Sequence, residues 1–199
     1  GALGQAEEEV YDEERIFRFN SGGVFAKNSP EVVGEVFEPR TGFKGKVRLP
    51  GGPLAADFDW EQDLIVACRY MGRSRLYQID ISTNKSVPLK NADFAGDVLD
   101  VVRGRTSGEY IIAHASALNV GLFLFDINTG KISPISTAAE KAFQPHVEGN
   151  VIYFSSDKDG SFQIYRMQEV KGKWVREQIS SSTWGAFRPF VYGDTIAFV

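Results

Sequence analysis

The chain repeats itself, and its period leaves few folds open. Leu64-Ile65-Val66-Ala67 stands 46 residues before Tyr110-Ile111-Ile112-Ala113, and the same offset lays Leu76-Tyr77-Gln78-Ile79-Asp80 over Leu122-Phe123-Leu124-Phe125-Asp126. Thr83 then meets Thr129, Lys85 meets Lys131 and Pro88 meets Pro134, with no gap between residues 64 and 89. A third copy runs from Val151 through Asp157-Lys158-Asp159-Gly160 to Tyr165, with Gly72 and Gly160, and Tyr77 and Tyr165, 88 residues apart. A fourth opens as Phe187-Arg188-Pro189-Phe190-Val191, 44 residues after Phe143-Gln144-Pro145-His146-Val147. It continues to Thr195–Val199, which aligns with Val151–Ser155. Upstream, Val36–Gly42 lies 88 residues before Leu124–Gly130, and Ile16-Phe17-Arg18-Phe19 opens that earlier unit.

Each unit reads as four short strands. In the third they are 143–147, 151–156, 162–167 and 174–179, parted by Glu148-Gly149-Asn150, Asp159-Gly160 and Lys171-Gly172-Lys173, which supply the Gly and Asn positions of tight turns. The runs are rich in Ile, Val, Phe and Tyr, and no long amphipathic pattern competes with them. Four strands recurring every ~40–50 residues mark a β-propeller blade; a β-solenoid repeats faster, and a sandwich does not repeat its sequence. The expected fold is therefore all-β, a propeller of four-stranded antiparallel blades, incomplete in this chain. Its units fall at 15–50, 58–92, 98–137 and 143–182, with a partial one at 187–199.

Charge narrows the partner class. The 199 residues hold 22 Lys plus Arg against 26 Asp plus Glu, but Glu7, Glu8, Glu9, Asp12, Glu13 and Glu14 make the acidity local. Without those six the chain is nearly neutral, so neither a nucleic-acid footprint nor a membrane-surface patch is expected. Residues 1–14 read as a solvated acidic tail. Cys68 is the only cysteine, which rules out an intrachain disulfide and a Cys-rich zinc site and fits the cytosol and an extracytoplasmic space equally. No apolar run approaches the ~18–20 residues of a membrane span. Gly4-Gln5-Ala6 fits the small-x-Ala end of a signal peptide, and the opening six residues fit a cloning remnant as well.

The third unit, Val151-Ile152-Tyr153-Phe154-Ser155-Ser156-Asp157-Lys158-Asp159-Gly160 leading into Phe162-Gln163-Ile164-Tyr165-Arg166-Met167, resembles the repeat of TolB-type propellers. The same repeat occurs in the propellers of tricorn protease and prolyl-oligopeptidase-like peptidases: an apolar strand, Ser-Asp, a short turn with Gly, then an Ile-Tyr strand. The second unit keeps an aromatic strand followed by Asp126-Ile127-Asn128-Thr129-Gly130. The resemblance covers residues 58–199 and extends faintly over 15–50. It implies blade architecture, and a propeller used as a binding platform or as a gate over a catalytic domain; fold does not fix function. The first two complete units depart from the Ser-Asp turn, with Arg69-Tyr70-Met71-Gly72 and Ala115-Ser116-Ala117-Leu118, so a site at one blade tip does not transfer to the others.

Motif chemistry is sparse. An EF-hand loop begun at Asp157 needs Gly at position 162 and Glu at 168, where the chain has Phe162 and Gln168. The sialidase Asp-box also fails, because Gly160 comes one residue late and no Trp follows. A hairpin turn held by Asp side chains is the expected role of Asp157–Gly160. His114 and His146, the only histidines, fall on strands and read as packing residues. There is no Gly-x-Ser-x-Gly elbow, His-Glu-x-x-His or Walker-type loop, and no carboxylate pair stands out for glycoside chemistry. No catalytic residue, metal ligand or cofactor is expected.

In a propeller, the loops between second and third strands share a face with those between blades. Tyr70, Arg73, Leu118, Asp157, Lys158 and Trp184 fall on those loops, and Trp, Tyr and Arg are enriched at interface hot spots. The expectation is a non-catalytic propeller that binds a protein or peptide partner through that face, in a periplasmic or other extracytoplasmic space, as the TolB resemblance implies. The alternative is the substrate-gating propeller of a serine peptidase whose catalytic domain lies outside these residues. A six- or seven-bladed ring at this spacing needs roughly 250–320 residues, so the chain is expected to be a fragment, or to be completed by a second chain. Residues 15–50 supplying strands beside 195–199 is the competing closure.

Overall fold

A computed structural model describes residues 6–11, 16–21, 32–38, 43–61 and 63–199, and contains strands and turns but no helix among them. The chain divides into two compact units, Gly1–Asp97 and Val98–Val199. The first holds β1 (Ala6–Tyr11), β2 (Ile16–Ser21), β3 (Val32–Glu38) and β4 (Phe43–Leu49) as one four-stranded sheet, and β5 (Gly52–Phe58), β6 (Leu64–Tyr70), β7 (Arg73–Asp80) and β8 (Lys85–Ala95) as a second. The other unit carries a sheet of β9 (Asp97–Arg103), β10 (Glu109–Ala115), β11 (Val120–Asp126) and β12 (Lys131–Pro134). Next comes a sheet of β13 (Ala142–Glu148), β14 (Val151–Ser156), β15 (Gln163–Val170) and β16 (Lys173–Gln178), then the pair β17 (Phe190–Tyr192) and β18 (Thr195–Ala197). Every four-stranded sheet follows chain order, as successive hairpins do.

The repeat becomes physical in the second strand of each sheet. Leu64–Cys68, Tyr110–Ala113 and Ile152–Ser156 are buried on both faces, as strands covered by packing on either side must be. The fourth strands β8 and β16 are mostly exposed. Phe17, Val36, Val47, Phe58, Leu64 and Val66 form one core in the first unit. Ile111, Leu122, Ile152, Phe154 and Tyr165 form another in the second.

Turn chemistry repeats as well. Oδ1 of Asp80 accepts the N–H groups of Ser82 and Thr83 at 2.8 and 3.0 Å. Asp126, 46 residues on, accepts those of Asn128 and Thr129 at 2.9 and 3.2 Å. Both turns close through a left-handed residue, Asn84 (φ 56°) and Gly130 (φ 68°). Hydrogen bonds from Ser82 and Thr83 pull the Asp80 carboxyl down to about 2.

Two sequence readings need correction. Residues 6–11, within the expected acidic tail, form β1 and pair with β2 from Ala6↔Ser21 to Tyr11↔Ile16. β1 is an edge strand, where charged residues are tolerated and discourage further pairing. The second sheet begins at Gly52, six residues before the expected start of its unit. Proline is tolerated on an edge strand, and the β5–β6 register shifts between Pro53 and Ala55. Strands β2–β4 pair within the first sheet, and β17 and β18 pair with each other.

Candidate functional site

Four of the six expected partner-binding residues lie on neighbouring loops of the second unit. Leu118 tops the β10–β11 connection, where Ser116 Oγ receives the N–H groups of Leu118 and Asn119 at 3.4 and 3.2 Å. Asn119 Nδ2 donates to the carbonyls of Ala138 and Glu140 at 3.0 and 2.9 Å, tying this loop to the segment before β13. That segment is tied to the β14–β15 loop, because Asp157 Oδ1 accepts the Lys141 N–H at 2.7 Å and Asp157 N–H donates to the Lys141 carbonyl at 3.2 Å. The chain is fixed again on the far side. Gln163 accepts from Ser182 N–H at 2.9 Å and donates to the Ser182 carbonyl at 2.7 Å, while Ala186 N–H donates to the Phe162 carbonyl at 2.8 Å. Trp184 sits between these anchors, its N–H 3.3 Å from Ser182 Oγ.

The result is a ledge with pinned backbone and free side chains. Leu118 is 96% exposed and Trp184 94%. Lys141 and Lys158 are exposed, and neither ammonium has an ion-pair partner among the described residues. Asp157 is different: its carboxylate spans two loops and holds them, so its role is to shape the ledge. The turn Asp157–Gly160 is closed by its backbone, Gly160 N–H donating to the Asp157 carbonyl at 2.9 Å, while Asp159 Oδ2 accepts the Tyr165 hydroxyl of β15 at 2.6 Å. Burial and that hydrogen bond push the Tyr165 phenol up to about 12.

Tyr70 and Arg73 belong to the first unit. They pair across the β6–β7 hairpin, whose two-residue loop, Met71 (φ 48°) and Gly72 (φ 75°), has the positive φ pair of a type I′ turn. The Tyr70 side chain lies outside the described residues. Arg73 Nε donates to Asp93 at 2.8 Å, and Arg75 holds the other oxygen of the same carboxylate at 2.8 Å. Arg73 is thus a paired surface cation.

Sequence reasoning missed two arrangements in the second unit. In the first, Gln144 N–H donates to Asp100 Oδ2 at 3.3 Å, and Arg188 N–H donates to Gln144 Oε1 at 3.0 Å and to Ser155 Oγ at 3.2 Å. Asp100, Gln144 and Arg188 are spaced by 44 residues; the recurrence of Gln144-Pro145 as Arg188-Pro189 was its visible signal. His146, nearby on β13, places Nε2 3.2 Å from the Val191 carbonyl and its ring 5.1 Å from that of Phe190; burial lowers its pKa.

The second is a buried ion pair. Glu140 is 1% exposed, and its Oε2 accepts from Ser156 Oγ at 2.6 Å and from Arg176 Nη1 at 2.6 Å. Its Oε1 takes Thr137 N–H at 2.7 Å. Burial alone raises the Glu140 pKa, but hydrogen bonds from Arg176, Ser156 and Thr137 outweigh it and leave the carboxyl below its ordinary range. Arg176 also lies over the rings of Phe154 and Tyr165 at 5.1 and 5.9 Å. No local motif announces this network, because its members lie on three segments.

Elsewhere, Arg105 borders an open groove of about 320 Å³ with Thr106, Asn150, Glu169 and Gly172. Its guanidinium is taken up by Glu109 at 2.8 Å, Glu169 at 3.1 Å and the Trp174 ring at 4.6 Å. Among the described residues no group of three His, Cys, Asp or Glu side chains is placed to hold a metal ion, and no helix is long and apolar enough to cross a membrane.

No known protein-family profile matches the chain, and no curated protein matches it in sequence. Solved structures do match it in fold. The putative TolB from Agrobacterium tumefaciens superposes with a TM-score of 0.70 at 15% identity, over 98% of this chain and 68% of that one. TolB from Acinetobacter baumannii gives 0.66 at 12% identity, over 92% of this chain and 46% of that one, so this chain spans less than half of its length. Tricorn protease gives 0.62 at 18% identity, over 88% of this chain and 18% of that one. At these identities the likeness is one of fold: the chain has the β-propeller architecture of TolB and of the tricorn protease propeller.

Proposed function

We propose that this chain is a non-catalytic propeller segment that binds a protein or peptide partner in an extracytoplasmic compartment, through the loops of the second unit carrying Leu118, Asp157, Lys158 and Trp184, with Tyr70 and Arg73 on the β6–β7 hairpin of the first unit as further partner-binding residues. The observation that carries the reading is Trp184, 94% exposed on a backbone pinned at Ser182 and Ala186. A large apolar anchor on a pre-organised loop binds with little ordering cost. Leu118 and the unpaired ammonium of Lys158 extend the surface; Asp157 holds its loops together. The fold likeness to TolB supports the compartment and the scaffold role.

A second reading, a propeller that gates substrate for a peptidase, is supported by the likeness to tricorn protease. Site-specific photo-crosslinking separates the two. A benzophenone side chain at position 184 captures a protein partner under the first reading, while one at Val175 on β16 captures none. Crosslinking from position 184 to a peptidase catalytic domain supports the second reading, and equal yields from both positions contradict a dedicated face.

A further inference from the structure

The groove of about 320 Å³ beside Arg105 is built from tight turns and a fixed charge pair. Gly149 and Asn150 form the two-residue loop between β13 and β14, with Gly149 at φ 54°. Lys171 and Gly172 form the two-residue loop between β15 and β16, at φ 51° and 74°, the positive pair of a type I′ turn. Loops this short have little freedom, so Asn150 and Gly172 stay where their strands put them. Glu169 from β15, with Arg105 and Thr106 from the β9–β10 connection, completes the lining. All five residues belong to the second unit.

Arg105 is held from three sides. Its Nε and Nη2 donate to the two Glu109 oxygens, both at 2.8 Å, and its Nη1 donates to Glu169 Oε2 at 3.1 Å. The guanidinium lies over Trp174, which stands across the strands from Glu169. These contacts use one hydrogen on each guanidinium nitrogen and leave two of the five. Glu169 Oε1, the Asn150 amide and the Thr106 hydroxyl also have no partner among the described residues. The groove therefore offers donors and acceptors side by side on fixed supports. It offers no unbalanced charge: Glu109 already neutralises Arg105, and Glu169 is shared with it. Arg103, Arg105, Lys171 and Lys173 stand against Glu109, Glu148 and Glu169, so neither sign dominates nearby. A hydroxyl donates and accepts at once, so neighbouring hydroxyls match such a mixed lining where an ammonium or a phosphate uses only half of it. The volume falls at the lower end of the range for small-molecule sites.

We propose that the groove lined by Arg105, Thr106, Asn150, Glu169 and Gly172 binds a neutral polyhydroxylated ligand, a sugar unit. Arg105 and Glu169 share its hydroxyls as donor and acceptor, and Asn150 and Thr106 orient it. The groove lies at the opposite strand ends from the loops carrying Leu118 and Lys158, and its test does not depend on Trp184.

The test is titration of the full ¹⁵N-labelled chain with glucose, galactose, mannose, N-acetylglucosamine and cellobiose, and separately with butylammonium and inorganic phosphate. At least one sugar is expected to shift the Asn150 side-chain amide, Arg105 Nε–H and Gly172 N–H signals, with a Kd on the order of millimolar. Butylammonium and phosphate are expected to leave those signals in place. Asn150→Ala and Thr106→Val should each raise the Kd of that sugar about fivefold, as loss of one hydrogen bond does. Neither side chain is bonded within the protein among the described residues, so the thermal midpoint should hold in both. A rise in either variant at an unchanged midpoint supports the assignment. Absence of shifts with every sugar up to about 50 mM, a response to butylammonium or phosphate as large as to the best sugar, or an unchanged Kd in both variants would overturn it.

Discussion

Arg176 Nη1 lies 2.6 Å from Glu140 Oε2, joining the outer strand β16 to the segment that leads into β13. Glu140 is 1% exposed, and the Arg176 side chain 13%. Removing one member of such a pair leaves the other buried and uncompensated. Glu140→Gln should therefore destabilise the protein by about 3 kcal/mol, and adding Arg176→Met should recover part of the loss. Urea unfolding of wild type and both variants measures this; a double variant less stable than Glu140→Gln would contradict it.

The same carboxyl sets an acid response. Glu140 titrates below its ordinary 4.5 in the folded protein, and so does Glu109, where burial is outweighed by the hydrogen bonds from Arg105. A folded-state pKa that is depressed stabilises above the unfolded value and loses that stabilisation as the pH falls through the folded one. Stability should therefore decline as the pH drops below about 4.5, and decline less in Glu140→Gln and Glu109→Gln. Urea midpoints at a series of acidic pH values test it; parallel curves for variant and wild type would refute it.

Cys68 is buried in the core of the first unit, and desolvation raises its thiol to about 12. The thiolate is the reactive form, so native protein at pH 8 should resist a disulfide-exchange reagent and react fully only when unfolded. Rapid native labelling would show that β6 opens far more readily than its packing implies.

Most of the fold was legible because it rests on local chemistry repeated several times. The offset between Leu64 and Tyr110 placed β6 and β10 before any coordinate did, and Asp80 and Asp126 repeat one turn. What stayed hidden depended on contacts between distant segments. Asp157 reads as a surface turn residue, and its grip on Lys141 appears only once two loops are adjacent. Nothing near Glu140 in sequence marks Arg176 and Ser156 as its partners. Residues 6–11 were misread because six acidic residues between 7 and 14 outweigh Val10 and Tyr11 in any compositional reading; pairing with β2 decides the matter.

The β6–β7 hairpin offers a backbone test. Gly72 sits at φ 75° with no atom within 4 Å of an added Cβ, so space is no obstacle and the left-handed conformation alone opposes a side chain. Gly72→Ala should cost about 1 kcal/mol. Met71→Asn, which supplies the residue type a type I′ turn prefers, should stabilise by roughly 0.5 kcal/mol. Thermal unfolding reads both, and a neutral Gly72→Ala would mean that the turn readjusts.

The most direct test of the partner-binding face is the affinity of the partner captured at position 184 for Trp184→Ala, measured by titration calorimetry beside the thermal midpoint. A buried anchor contributes more than ~1 kcal/mol, so Kd should rise at least about fivefold while the midpoint stays at the wild-type value. An unchanged Kd, or a midpoint that falls with the affinity, would contradict the assignment of this face.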